Sequence, residues 1–211
     1  MLRDALTIGV AVGVIGVSFG VLASSKGIST PMACGMSLLV FSGGSQFVLA
    51  SAAGTGLVTA VAAGLLLNLR LAAYGLSLGS TLGGRLPTRM LSSYFVVDET
   101  TAFALSQPTP RLSRRGFHTV GILLFSFWQL GTLIGSLAGS AIGDPKRYGI
   151  DTALPAALLA MLWPQLGSRR AQVAAVSGSA IAVGLTPVLQ PGLPIMLASF
   201  GVVLALSVDR R

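Results

Sequence analysis

Four groups of residues in this chain could do chemistry. Asn68-Leu69-Arg70, with Tyr74 four positions on, lies inside a long apolar stretch. A guanidinium at mid-membrane costs ~2.5–3.5 kcal/mol on insertion scales. Arg70 should therefore face a cavity or a carboxylate, unless a displaced helix boundary lets it snorkel to the interface. Asp98-Glu99-Thr100-Thr101 holds the only acids between Asp4 and Asp144. An acid drawn into low dielectric is suited to carrying a proton; in a surface loop the same pair would be solvated or cap a helix. Ser42-Gly43-Gly44-Ser45-Gln46 puts two glycines, hydroxyls and an amide into another apolar run. Paired glycines weaken a helix by roughly 1 kcal/mol each relative to alanine. A helix broken there would expose backbone N–H groups able to hold a carboxylate, whereas a plain kink would only bond neighbouring carbonyls. Trp163-Pro164-Gln165 is a fourth interruption, with Trp163 and Gln165 as binding candidates or Trp163 as an interfacial anchor.

The elements that must position these groups follow from composition. Of 211 residues, 53% are apolar and 9% charged, against roughly 25% charged in a soluble domain. Uncharged runs extend over 5–25, 27–69, 116–143, 152–168 and 171–208, and several exceed the ~20 residues that a bilayer-spanning helix needs. The chain reads as a single all-α, polytopic membrane domain over 1–211. Spans are predicted at 5–25, 31–53, 56–84, 117–143, 152–167, 171–187 and 193–208, with Gly54-Thr55-Gly56 as a tight hairpin. The segment 85–116 reads as a polar connector. Seven spans with the N-terminus outside place ten basic residues inside and three outside. If 90–108 also crosses, eight spans with the N-terminus inside give eight against five. The positive-inside rule favours seven, with the acidic segment still free to dip into the membrane.

Glycines add a second level of order. Gly131, Gly135, Gly139 and Gly143 recur every fourth residue, as do Gly75, Gly79 and Gly83. Gly9/Gly13 and Gly16/Gly20 repeat the spacing, which lets helix backbones approach closely, within the chain or across a dimer. Gly16, Gly20 and Gln46 are matched 119 residues later by Gly135, Gly139 and Gln165. This suggests an inverted repeat of 5–84 and 117–187 with broken helices, followed by a final span 193–208, a common plan in secondary transporters.

Several functions are excluded. The +8 net charge is spread over loops between apolar runs, not along a stripe that could track phosphates. Cys34 is the only cysteine and His118 the only histidine, leaving no disulfide or metal constellation. No catalytic triad, paired-histidine helix or phosphate-binding loop is present, so an enzyme and a bound cofactor are not expected.

Phe41-Ser42-Gly43-Gly44-Ser45-Gln46-Phe47, Asn68-Leu69-Arg70 with Tyr74-Gly75, and Asp98-Glu99-Thr100 occur in that order over the first half of the chain. Together they resemble the large subunit of the azaleucine-resistance (AzlC-type) branched-chain amino acid exporters. Leu71 departs from the histidine that often follows the arginine in that family. The resemblance implies an exporter of leucine, isoleucine and valine in the bacterial cytoplasmic membrane. It also implies proton coupling and a small AzlD-like membrane subunit. The residues suit such a substrate. A carboxylate would go to Arg70 or the N–H groups near Ser42–Gln46, an ammonium to Asp98 or Glu99, and a branched side chain to apolar helix surface. A non-transporting membrane subunit and a channel are the alternatives.

Overall fold

The computed structural model describes residues 1–51, 57–142, 159, 162–189 and 193–207, and every regular element among them is helical. The chain is a polytopic α-helical membrane protein. Its elements are α1 (Leu2–Ser25), α2 (Thr30–Leu39), α3 (Gly43–Ser51), α4 (Leu57–Leu82), α5 (Leu86–Ser93), α6 (Asp98–Leu105) and α7 (Pro110–Ile142). A 3₁₀ turn (Trp163–Gly167), α8 (Arg169–Leu185), α9 (Leu193–Ala198) and α10 (Gly201–Ser207) follow. Three described helices are long and apolar enough to cross a membrane: α1, Ala60–Leu82 of α4 and Pro110–Ala141 of α7.

α1 and α7 run parallel and in register. Gly9 lies against Phe127, Gly16 against Trp128 and Gly131, and Gly139 against Ser24. Side chains are excluded from this seam, since a Cβ on Gly135 would strike the Val17 carbonyl and one on Gly131 the Gly13 carbonyl. The glycine spacing thus serves close packing within the chain, and the 119-residue offset of Gly16/Gly20 and Gly135/Gly139 joins two helices that touch. Gly75 and Gly79 differ, having no neighbour where a Cβ would stand.

The parallel pair dictates the path between α1 and α7. From the far end of α1, α2 runs back along α7, with Ser136 Oγ donating to Thr30 Oγ1 at 3.0 Å and Ser37 bonded to Thr132 at 3.0 Å. Its successor α3 reverses direction. Gly43 stands at the level of Trp128, Phe47 meets Phe19 edge-on at 5.6 Å, and Ala50 rejoins Ala23 and Ala33 in one apolar cluster. The segment 31–53, predicted to cross, therefore enters and returns over its described part, residues 31–51. α4 then crosses to the starting end, packing Gly64 on Ser45 and Leu49, and Leu78 and Leu82 with Phe117.

A second re-entrant hairpin rises from that end. Ser92 of α5 bonds His118 Nε2 at 3.0 Å, and Phe95 packs on Gly121. α6 descends again, with Phe103 on Gly116 and Ser113 Oγ donating to the Ala104 carbonyl at 2.6 Å. The expected polar connector 85–116 is thus two short helices folded into the bundle, plus the first turns of α7. Both hairpins reach the level of residues 121–128 on α7, where Phe41 from one tip stacks on Tyr94 of the other at 5.8 Å. Tyr94 Oη also donates to the Leu38 carbonyl at 2.6 Å, satisfying an acceptor at the C-terminus of α2.

The sidedness expected from seven spans changes accordingly. The N-terminus and the Arg111–Arg115 turn lie at one end of the bundle, not on opposite sides. Arg3, Arg85, Arg89, Arg111, Arg114 and Arg115 share that end, with Lys26 at the other. Arginines gathered at one end are what the positive-inside rule expects of a cytoplasmic face. The hairpin 54–56, most of the span 152–167 and the second half of the expected repeat from 143 to 158 fall outside the described residues.

Candidate functional site

Each hairpin tip is a helix break with a local cause. At the first, Val40 leaves helical geometry (φ −120°, ψ 81°), and the Ser42 N–H closes a tight turn on the Val40 carbonyl at 2.8 Å. α3 restarts at Gly43. Both glycines are closely packed: a Cβ on Gly43 would sit 2.9 Å from the Trp128 ring, and one on Gly44 would sit 3.1 Å from Leu67 and 3.4 Å from Arg70 Nη2. At the second tip, Val97 is extended (φ −136°, ψ 174°). Thr100 Oγ1 accepts from the Val97 N–H at 3.0 Å and donates to the Phe95 carbonyl at 2.7 Å. That hydroxyl replaces the backbone bonds the break removes, and α6 starts on Asp98.

Both α3 and α6 therefore begin at the tips, and their N-terminal dipole ends converge at the centre of the bundle. Asp98 and Glu99 occupy the first turn of α6, where a helix dipole stabilises negative charge. α4 passes beside the tips and serves them from two faces. Asn68 ties the first: Ser42 Oγ donates to its Oδ1 at 2.7 Å, and its Nδ2 donates to Ser45 Oγ at 3.3 Å. Arg70 and Tyr74, one turn apart, hold the second. Arg70 Nη2 pairs with Asp98 Oδ2 at 2.8 Å, and Tyr74 Oη donates to Asp98 Oδ1 at 2.9 Å.

A cavity of about 560 Å³ opens at this junction, inside the size range of small-molecule sites. Ser42, Gly43, Gly44, Arg70, Asp98 and Glu99 form its polar side. Val12, Ile15, Leu124, Leu105 and Trp128 form an apolar wall. Glu99 has no hydrogen-bond or ion-pair partner on another described side chain. Three polar atoms on lining residues are buried without a partner: Arg70 Nε, Thr101 Oγ1 and Trp128 Nε1. The arrangement can hold a molecule with both charges at one end and hydrocarbon at the other.

Residues 7–142 match the family described as AzlC protein. The chain belongs to the AzlC family. The matched segment runs from α1 to the end of α7, so the family signature covers the three spans and both hairpins. An uncharacterized membrane protein of Archaeoglobus fulgidus is 36% identical, over 79% of this chain and 74% of its own. An uncharacterized membrane protein of Helicobacter pylori strain 26695 is 28% identical, over 97% and 92%. The inner membrane protein YgaZ of Escherichia coli K12 is 29% identical, over 76% and 69%. No solved structure matches.

Within this AzlC-family site, six of the sequence-predicted residues line the cavity together. Ser45 and Asn68 stand behind them as braces. Gln46 is fully buried on the far side of α3, donating to Ser37 Oγ at 2.8 Å, and so ties α3 to α2 and, through Thr132, to α7. Trp163 is 73% exposed on the 3₁₀ turn and is not brought to the cavity; the side chain of Gln165 lies outside the described residues. Trp128 was not legible as a site residue, since it sits in an aromatic run with Phe125 and Phe127 that reads as ordinary core. Thr101 was singled out only as part of the acidic group that it follows.

Proposed function

We propose that the protein is a secondary transporter of the bacterial cytoplasmic membrane that exports leucine, isoleucine, valine and similar amino acids. It moves its substrate unaltered, works with a small AzlD-like membrane subunit, and is driven by protons entering through Glu99. The observation that carries this reading is the Arg70–Asp98 pair, placed in a largely apolar cavity where two broken helices meet. Discontinuous helices with N-termini aimed at an anionic group are a recurrent way to build a transporter site.

The pair also supplies a mechanism. A zwitterion can take the place of the internal bridge: its carboxylate goes to Arg70 and the Gly43–Gly44 N–H groups, and its ammonium to Asp98. The aliphatic chain then lies on Val12, Ile15 and Trp128. A single methylene changes binding by ~1–3 kcal/mol in an apolar pocket, so several hydrophobic amino acids share the site. Glu99 lies next to the carboxylate that receives the ammonium and has no competing partner. A proton on Glu99 removes one negative charge beside Asp98, weakening its hold on the ammonium. Proton entry thereby favours substrate release to the outside.

The test is counterflow of labelled leucine in proteoliposomes, with and without the small subunit, followed by export against a gradient. Leucine exchange abolished by Arg70→Gln supports the proposal. Unchanged exchange in that variant would mean that the cavity is not the transport site. Passage of small ions without saturation would favour a channel.

A further inference from the structure

The cytoplasmic start of α7 is electrostatically unfavourable as it stands. Arg111, Arg114 and Arg115 fall in its first two turns, and with His118 they follow the i, i+3, i+4, i+7 spacing of one helix face. Like charges at these spacings repel, and cations at a helix N-terminus oppose the dipole. No acid lies in the first turn to compensate. Arg85 and Arg89 add charge nearby, and the Arg114 guanidinium reaches over Gly84, 3.7 Å from where a Cβ would stand. None of these five arginines has a carboxylate partner among the described residues; Asp4, at the same end, pairs with the chain's amino group at 2.8 Å.

The cluster is shaped as well as charged. Arg111, Arg114, Arg115 and His118 line an open cavity of about 780 Å³, with the hydroxyl-bearing Thr81 and Thr119 beside them. His118 is fixed by Ser92 at 3.0 Å and by the Arg114 carbonyl at 2.8 Å, so the wall is held in place. A second concavity on α1 is lined by Leu2, Arg3, Leu6, Thr7 and Val10, and Leu2 adjoins Met1, which lines the first. Leu2, Leu6 and Val10 are 59%, 40% and 52% exposed, one turn apart along the helix.

We propose that this end of the protein binds an anionic phospholipid. The phosphate sits on Arg111, Arg114 and Arg115 at the α7 N-terminus, and an acyl chain lies along Leu2, Leu6 and Val10. Guanidinium forks are matched to phosphate oxygens. Basic pockets between membrane helices on the cytoplasmic side are suited to such headgroups. The apolar track leading away from the arginines favours a lipid over free phosphate.

The experiment compares the full-length protein in detergent with added phosphatidylglycerol, phosphatidylcholine or inorganic phosphate, reading the unfolding midpoint and bound lipid by native mass spectrometry. Phosphatidylglycerol should raise the midpoint by a few degrees, as a ligand specific to the folded state does, and should remain bound. Phosphatidylcholine and inorganic phosphate should do neither. Arg111→Gln/Arg114→Gln/Arg115→Gln should lose the response, and the corresponding lysine triple should keep part of it. An equal shift with inorganic phosphate would make this a free-anion site. An equal shift with phosphatidylcholine, or an undiminished response in the glutamine triple, would overturn the assignment. If the glutamine triple does not fold, the wild-type comparison of the three additives still decides.

Discussion

If a zwitterion displaces the Arg70–Asp98 bridge, Asp98→Asn should move two ligands in opposite directions. The first ligand is leucine; the second is 4-methylpentanoate, the same skeleton without the ammonium. In the native protein both must compete with Asp98 for Arg70. The pair is about one-third exposed on each side, 34% and 29%, so its strength lies nearer that of surface bridges, at ~1 kcal/mol, than that of buried ones. Removing the carboxylate frees Arg70, and 4-methylpentanoate should bind about fivefold tighter, since ~1.4 kcal/mol is a factor of ten. Leucine gains the same term but loses a charge-assisted hydrogen bond to its ammonium, about 1.5–3 kcal/mol. Its net change is a weakening of roughly two- to thirtyfold. Tyr74, which donates to Asp98, can donate equally to the asparagine oxygen, so the tip should keep its shape. Competition against labelled leucine on purified protein measures both affinities, with the unfolding midpoint as a control. Should both ligands weaken together, or neither move, the displacement mechanism is wrong.

Glu99→Gln should abolish uphill export while preserving exchange between equal pools, and loss of both would demote Glu99 to a structural part of the tip. Gly135→Ala, forced onto the Val17 carbonyl, should cost about 1–3 kcal/mol by overpacking and lower the unfolding midpoint. Gly79→Ala, with open space around it, should be neutral or stabilising by up to ~1 kcal/mol, and equal losses at both positions would refute the parallel seam. Single cysteines at positions 2 and 112, both exposed, in a Cys34→Ser background, should react with an impermeant reagent from the same side of the membrane; labelling from opposite sides would break the paired-hairpin topology.

The first tip was legible because two adjacent glycines weaken a membrane helix at one point and the hydroxyls and amide beside them offer polar groups there. Arg70 and Asp98-Glu99 were legible because charge is costly in lipid and must find company. The second tip left no such mark. Tyr94-Phe95-Val96-Val97 has neither glycine nor proline, and its break is made by the Thr100 hydroxyl, three residues beyond it. Re-entrance was hidden for a different reason. Two helices of about ten residues, one going in and one coming out, add up to the same apolar length as one crossing helix. Hydropathy counts residues and is blind to their direction, so a correct break was placed on an incorrect path. The expectation that the N-terminus and the 111–115 turn lie on opposite sides followed, since charge counting takes the number of crossings as its input; the two share one end.

The hairpins also set the order in which the protein can be made. α2, α3, α5 and α6 are 10, 9, 8 and 8 residues long, too short for any of them to be stable across a bilayer alone. Their tips rest largely on α7: Gly43 on Trp128, Ser37 on Thr132, Phe95 on Gly121. While the ribosome is still making the first hundred residues, neither hairpin has the surface it packs on. α1 likewise waits for a partner more than a hundred residues downstream. The early chain therefore holds α1 and α4 as independent spans, with the segments after each waiting near the interface. Arrival of α7 then closes the bundle and draws both hairpins in together. A nascent chain stalled before residue 110 should keep its hairpin segments open to protease, and one released after 142 should not.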